Sequence, residues 1–171
     1  MAGQRHKHIT FLSLGSNVGD RLKYLQFAVN QMNNFGTVSL LSKIYESEPW
    51  GYDDPSAYLN MACRFDTDFE PHLLRFQLSE IEKRAGRTKS TINQNYEART
   101  LDIDILLYDA LNMNTPDLLI PHPRMALRRF VLEPLCEIAP EIIHPISGKT
   151  IRELLQVTPD SSSNAIFRNE L

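Results

Sequence analysis

The chain has 171 residues and a mass of 19.6 kDa, the size of one domain with room for a real core. Its 42% hydrophobic and 23% charged residues are ordinary for a globular protein, and the formal net charge is -3 with a pI near 5.9. That acidic balance excludes a global field recruiting nucleic acid or anionic membrane, so any anion site has to be built locally.

Met1 to His8 reads as a polar, disordered leader without the apolar stretch of a signal peptide. No run reaches the length of a membrane span, so the cytoplasm is the expected location. Ile9 to Leu14 has the character of a buried strand broken by Gly15-Ser16-Asn17, and Asn17 or Ser16 is expected to cap the helix that follows. Leu22, Leu25, Phe27, Ala28, Val29 and Met32 keep helical spacing up to Gly36, read as the helix stop. One strand is expected from about Val38 to Ser47, then a loop through Glu48-Pro49-Trp50-Gly51, then a strand from Tyr58 to Asp66. Pro71 opens a second helix that runs to Gly86.

A polar stretch from Arg87 to Glu97 leads to Arg99-Thr100-Leu101-Asp102-Ile103-Asp104-Ile105-Leu106-Leu107-Tyr108. Leu101, Ile103, Ile105 and Leu107 alternate with a strand's period, which puts Asp102 and Asp104 together on the opposite face. Two carboxylates held that close repel unless a cation lies between them, and oxygen ligands suit a hard ion such as magnesium. Taken alone, the pair also fits a turn cap or a water-facing edge. Arg99 adds a donor for an anion. Asp117 to Arg124 is too rich in proline for a strand or helix and holds His122 between Pro121 and Pro123; Met125 to Ile138 and Ile151 to Val157 read as helices.

The order β-α-β-β-α-β predicts an α+β, ferredoxin-like core: an antiparallel sheet with both helices on one face, plus extra C-terminal helices. Residues 9–157 form one domain in this reading, between the leader (1–8) and a flexible tail (158–171). Cys63 and Cys136 are expected to be buried free thiols.

Several ordered motifs add to this. They are Leu14-Gly15-Ser16-Asn17 with Gly19-Asp20-Arg21, Pro49-Trp50-Gly51, Tyr58-Leu59-Asn60, Ile81-Glu82, Gly86-Arg87, Arg99-Thr100-Leu101-Asp102-Ile103-Asp104, and Ile120-Pro121-His122-Pro123-Arg124-Met125 with Arg128 and Phe130-Val131-Leu132. Together they resemble the 6-hydroxymethyl-7,8-dihydropterin pyrophosphokinases of folate biosynthesis, over about residues 9 to 155. The resemblance implies transfer of pyrophosphate from ATP to 6-hydroxymethyl-7,8-dihydropterin, with two Mg²⁺ ions held by Asp102 and Asp104. It implies Arg87, Arg99, Asp102 and Asp104 as catalytic residues, and Lys89, Ile105, His122 and Arg128 as nucleotide-binding ones. Ser47, Glu48, Trp50, Tyr58, Asn60 and Phe130 are expected to take the pterin, and the loop Arg87 to Asn95 to close over the substrates as a lid. A monomer is expected, or a weak dimer.

Singly, each arginine also fits a solvated surface position, Phe130 a core aromatic and Asn60 a buried amide serving its neighbours. The competing reading is a non-catalytic pterin- or nucleotide-binding domain of the same fold. An RNA-binding domain lacks support in the acidic balance and in the missing aromatic-glycine signature, and a Walker-type kinase in the missing Gly-Lys-Ser/Thr loop.

Overall fold

The computed structural model describes residues 7–51, 56–86 and 99–171. It is a mixed α/β domain built on an antiparallel sheet with four α-helices: β1 (His8–Ser16), α1 (Arg21–Met32), β2 (Gly36–Leu41), β3 (Ile44–Ser47), β4 (Tyr58–Thr67), α2 (Pro71–Arg84) and β5 (Asp102–Tyr108), followed by a short hairpin of β6 (Met113–Asn114) and β7 (Leu119–Ile120), a 3-10 turn (Met125–Leu127), α3 (Arg129–Ile138), α4 (Ile151–Val157) and β8 (Ala165–Arg168). The main sheet runs β5-β1-β4-β3-β8, with β2 also paired to β4. Among the described residues no helix is long and apolar enough to cross a membrane.

Alternation along the strands separates two cores. Leu12, Leu14, Leu59, Met61 and Ile103 face α1 and α2 in one apolar cluster. Phe11, Ala62, Leu106 and Leu107 join Met125, Val131, Leu132 and Leu135 in a second, beneath α3 and α4. Helices therefore cover both faces, but α3 and α4 cover only part of theirs. The uncovered part is where the cavity lies.

Five details depart from the sequence reading, each for a local reason. The Val38–Ser47 strand is two strands. At the break, Ser42 donates its backbone N–H to the Ala62 carbonyl and its Oγ accepts from the Ala62 N–H, so a side chain replaces the ladder and the chain re-registers. The cap of α1 is Asp20, whose side chain accepts from Lys23 N, not Ser16 or Asn17. Gly36 does not stop α1; it starts β2 against Phe65, whose ring a Cβ at Gly36 would overlap. A bulge opposite Phe11 and Leu12 skips Leu106 and turns Leu107 to the α3 face, away from Ile103 and Ile105. The expected 125–138 helix breaks at Arg128, whose extended backbone (φ -126°, ψ 106°) separates the 3-10 turn from α3.

Two proline-rich and polar stretches are also more regular than expected. Leu119 and Ile120 pair with Met113 and Asn114 just before a cis Ile120–Pro121 bond, and the tail contributes β8, antiparallel to β3. Pro71 at the start of α2, Gly86 in the left-handed region (φ 92°) after its end, and the bounds of α4 at Ile151 and Val157 agree with the sequence reading, and the structure adds a Thr150–Glu153 capping box at the start of α4.

Candidate active site

The strand register assembles the cavity. On β1, Ser13 lies opposite Asp104 and Gly15 opposite Asp102; on the other side Gly15 faces Asn60 of β4, and Tyr58 pairs with Ser47 of β3. These positions share one face of the sheet because each is an even number of residues from the next along its strand. The result is a cavity of about 250 Å³ lined by Ser13, Gly15, Ser47, Glu48, Trp50, Tyr58, Asn60, Arg75, Arg99, Asp102, Asp104, His122, Arg124, Arg128, Phe130 and Val131. Of the residues expected from sequence, Arg99, Asp102, Asp104, His122, Arg128, Ser47, Glu48, Trp50, Tyr58, Asn60 and Phe130 are thus brought to one place. Ile105 is the exception. Its side chain is 4% exposed and sits in the helix-facing core, one residue out of phase with Asp104, so only its backbone is left to approach a nucleotide. Arg87, Lys89 and the expected lid through Asn95 lie outside the described residues.

One end of the cavity is charged. Arg99 Nη1 donates to Asp102 Oδ2 at 2.6 Å, and the His122 Nε2 to Asp104 Oδ2 distance is 3.7 Å. Burial, then the charge of Asp102, raises the Asp104 carboxyl from 3.8 to about 6, with Arg75, Arg128 and Arg99 opposing. Such a strained carboxylate pair fits a divalent cation, which would neutralise the repulsion. Among the described residues no group of three or more His, Cys, Asp or Glu is arranged to hold a metal alone. Magnesium commonly takes one or two protein carboxylates and completes its shell with phosphate and water oxygens.

His122 is held as a neutral donor. Burial, followed by Arg128 and Arg124, lowers its pKa from 6.5 to about 4. Its Nδ1 accepts from the Arg124 N–H at 3.2 Å, which leaves the proton on Nε2, the nitrogen that faces Asp104. A neutral imidazole there can donate to an anionic oxygen without adding charge.

The other end is flat and aromatic. Asn60 Nδ2 donates to Ser47 Oγ at 2.7 Å, which fixes the amide's orientation and turns its carbonyl toward Gly15. A Cβ on Gly15 would stand 3.3 Å from Asn60 Oδ1 and 3.8 Å from the Tyr58 ring, so glycine leaves the room this amide uses. The Arg128 guanidinium lies 5.0 Å from the Trp50 ring centroid and 5.7 Å from that of Phe130, within cation–π range of both. Stacking faces beside one oriented amide suit a planar heteroaromatic ligand.

Backbone clamps hold the charged end, and the sequence reading assigned them no such role. Asn17 Oδ1 accepts the Arg99 N–H at 2.7 Å, while Asn17 N–H donates to the Arg99 carbonyl at 3.1 Å. Glu82, 2% exposed, accepts the N–H of Ile103 at 2.8 Å, fixing the peptide between the two aspartates. Arg75 Nη1 reaches the Ile103 carbonyl at 3.4 Å and Glu82 Oε2 at 3.7 Å, and also lines the cavity. The available signal was the seven-residue spacing of Arg75 and Glu82, two turns along one face of α2. Nothing local distinguishes Asn17 from a cap, because its partner is 82 residues away.

Comparison with known proteins bears on this arrangement. Residues 11–140 match the family model for 7,8-dihydro-6-hydroxymethylpterin-pyrophosphokinase. A Bacillus subtilis 2-amino-4-hydroxy-6-hydroxymethyldihydropteridine pyrophosphokinase is 42% identical over 137 residues, covering 79% of this chain and 80% of its own. The folic acid synthesis protein fol1 of Pneumocystis carinii is 38% identical over 151 residues, 88% of this chain, but the chain spans only 20% of that protein. The crystal structure of wild-type Plasmodium falciparum HPPK-DHPS shares the fold at a TM-score of 0.71 and 16% identity, over 90% of this chain and 44% of that one. With residues 11–140 matched by the family model and four fifths of the Bacillus subtilis relative covered at 42% identity, the chain belongs to the 7,8-dihydro-6-hydroxymethylpterin-pyrophosphokinase family.

Proposed function

We propose that the chain transfers the terminal pyrophosphate of ATP to 6-hydroxymethyl-7,8-dihydropterin, giving the pterin diphosphate and AMP in folate biosynthesis. The observation that carries this is the joining, in one cavity, of a carboxylate–arginine–histidine end with an aromatic–amide end. A pterin seated between Phe130 and Tyr58, with Asn60 and Ser47 on its polar edge and Glu48 and Trp50 beside it, points its hydroxymethyl group at the charged end. The hydroxyl oxygen attacks the β-phosphorus, the bond from that phosphorus to the α,β-bridging oxygen breaks, AMP leaves with that oxygen, and the hydroxyl proton passes to water.

Asp102 and Asp104 would hold magnesium, two ions in this reading, which when bound offsets triphosphate charge and polarises its oxygens. Arg99 and neutral His122 donate to phosphate oxygens, and Arg128 spans the two ends. Arg87 and Lys89 are assigned to the phosphates on resemblance alone. No strong general base is required, because such transfers run mainly on positioning and charge stabilisation. The ferredoxin-like classification is supported by the order β5-β1-β4 with β2 and β3 beyond it. A monomer working in the cytoplasm is our reading, supported for the compartment by the free thiols of Cys63 and Cys136.

A phosphorus NMR time course with magnesium and ATP, with and without the pterin, tests the reaction. Pterin-dependent AMP and a pterin diphosphate are expected. ADP, or no product despite binding of both ligands, would refute it, the latter in favour of a binding-only domain.

A further inference from the structure

The segment after α4 lies beyond the residues matched by the family model, yet it is tied to the elements that carry the aromatic end of the cavity. Asp160 Oδ2 accepts the backbone N–H of Arg129, the first residue of α3, at 2.8 Å. The residue in the helix's own cap position, Arg128, makes no side-chain capping bond, and Asp160, 31 positions beyond Arg129, does that work. The Ser162 N–H donates to Asp160 Oδ1 at 2.9 Å and holds the carboxylate in place.

Further along, Asn164 Nδ2 donates to Glu133 Oε2 at 2.6 Å, and the other oxygen of Glu133 takes Arg129 Nε at 2.8 Å, so the side of α3 is pinned as well as its start. Beyond Asn164, β8 pairs with β3, Ala165 opposite Glu46 and Ile166 opposite Tyr45. Phe167 lies under the Arg21 guanidinium, 5.8 Å from centroid to Cζ, while Arg21 bonds Glu46 and the Ala57 carbonyl. The tail thus grips both walls of the aromatic end: α3, which carries Phe130, and β3, which ends in Ser47 and leads to Trp50.

We infer that Asp160 is a positioning residue for the pterin subsite, acting as the N-cap that α3 lacks in its own sequence and so fixing Phe130 in the first turn. An acidic group at the positive end of a helix, accepting one of its unbonded amides, is the arrangement that stabilises a first turn. The hydrogen bonds from Ser162 and Arg129 hold the Asp160 carboxyl below its ordinary value against the opposing effect of burial, so it is charged at neutral pH. Apart from Arg128, which precedes the capped Arg129 and spans both ends, the charged end of the cavity draws on Asn17, Glu82 and β5 and not on this contact. Loss of Asp160 should therefore separate the two substrates.

The inference rests on the proposed pterin site, and its test keeps the two apart. Steady-state kinetics of the full chain would be measured for Asp160→Ala, Asp160→Asn and Asn164→Ala, with the pterin and Mg-ATP varied separately and the melting temperature recorded for each. Asp160→Ala is expected to raise the pterin KM about fivefold, the size of a lost N-cap, with ATP KM and kcat nearly unchanged. Asp160→Asn, which keeps the accepting oxygen, should recover most of that loss, and Asn164→Ala should show a smaller rise of the same kind. A pterin KM within twofold of the parent for Asp160→Ala overturns the inference. So does a parallel rise of both KM values, which marks general loosening of the fold. A parent chain that does not turn over the pterin at all refutes the functional reading, not the role of Asp160.

Discussion

Residues Leu12, Leu14, Leu59, Met61 and Ile103 of the sheet face α1 and α2 and are at most 1% exposed, while Ser13, Gly15, Asn60, Asp102 and Asp104, their neighbours in sequence, line a polar cavity on the reverse side. The same backbone thus presents one face that excludes water and one that gathers charge. Stability is supplied chiefly by the first, through apolar burial, and is drawn down by the second, where Asp102 and Asp104 repel. A site can be installed on such a sheet because its cost is carried elsewhere. Changes on the cavity face should therefore alter activity with little loss of stability, and changes on the helix face should do the reverse.

The sharpest break of that rule would come from Asp102. Asp102→Asn removes a proposed metal ligand and is expected to lower kcat by roughly a thousandfold with little change in melting temperature, since loss of the Arg99 ion pair offsets relief of the repulsion with Asp104. Normal turnover would sink the metal assignment, and a large drop in melting temperature would sink the separation of faces. Next in size, Arg99→Ala should reduce kcat by about a hundredfold with the pterin dissociation constant hardly moved, as checked by quenched-flow turnover beside equilibrium titration. Equal losses in both would mean that Arg99 organises the whole cavity. Phe130→Ala should weaken pterin about tenfold and spare ATP, a stacking face being lost; isothermal titration with each ligand would decide, and unchanged pterin affinity would return Phe130 to the core.

The smallest effect belongs to the helix face. Burial pushes the Cys63 thiol on this face from 9.0 up to about 12, and on the reverse face burial with the Glu137 hydrogen bond does the same for the Tyr45 hydroxyl, from 10.0. Both stay neutral in the folded state while the unfolded chain ionises, so the stability they protect is whole below about pH 9 and is lost as pH rises toward 12. Cys63→Ala should remove the thiol's share of that alkaline decline, about 3 °C of melting temperature at pH 10, with activity at pH 7.5 retained. Parallel melting curves for parent and variant from pH 8 to 10 would show that the thiol is not the cause.

The α2 helix was legible because its signals are local: Pro71 and Gly86 bracket it, each within a few residues of the end it marks. Errors gathered where a distant partner overruled a local preference. Asn17 looks like a cap by type, but the Arg99 backbone claims it; Gly36 looks like a helix stop, but the Phe65 ring needs its missing side chain; and the tail looks frayed, but β3 offers it an unpaired edge. The bulge that turns Leu107 away from Ile105 has no mark in an alternating run, because only the pairing with β1 reveals the skipped residue.

What the sequence alone determined was the chemistry available: the carboxylate pair on one face of a strand, the histidine between prolines, the aromatic and amide groups, and the motif order that identifies the family. These follow from residue type and from the two-residue period of a strand, which no partner is needed to establish. Tertiary structure decided what sets those groups to work. It chose Glu82 and Arg75 to fix the Ile103 peptide, Asn17 to fix Arg99, neutral His122 with its proton toward the cavity, and Asp160 to begin α3. Each of these depends on a hydrogen bond between groups whose distance in space bears no relation to their distance along the chain.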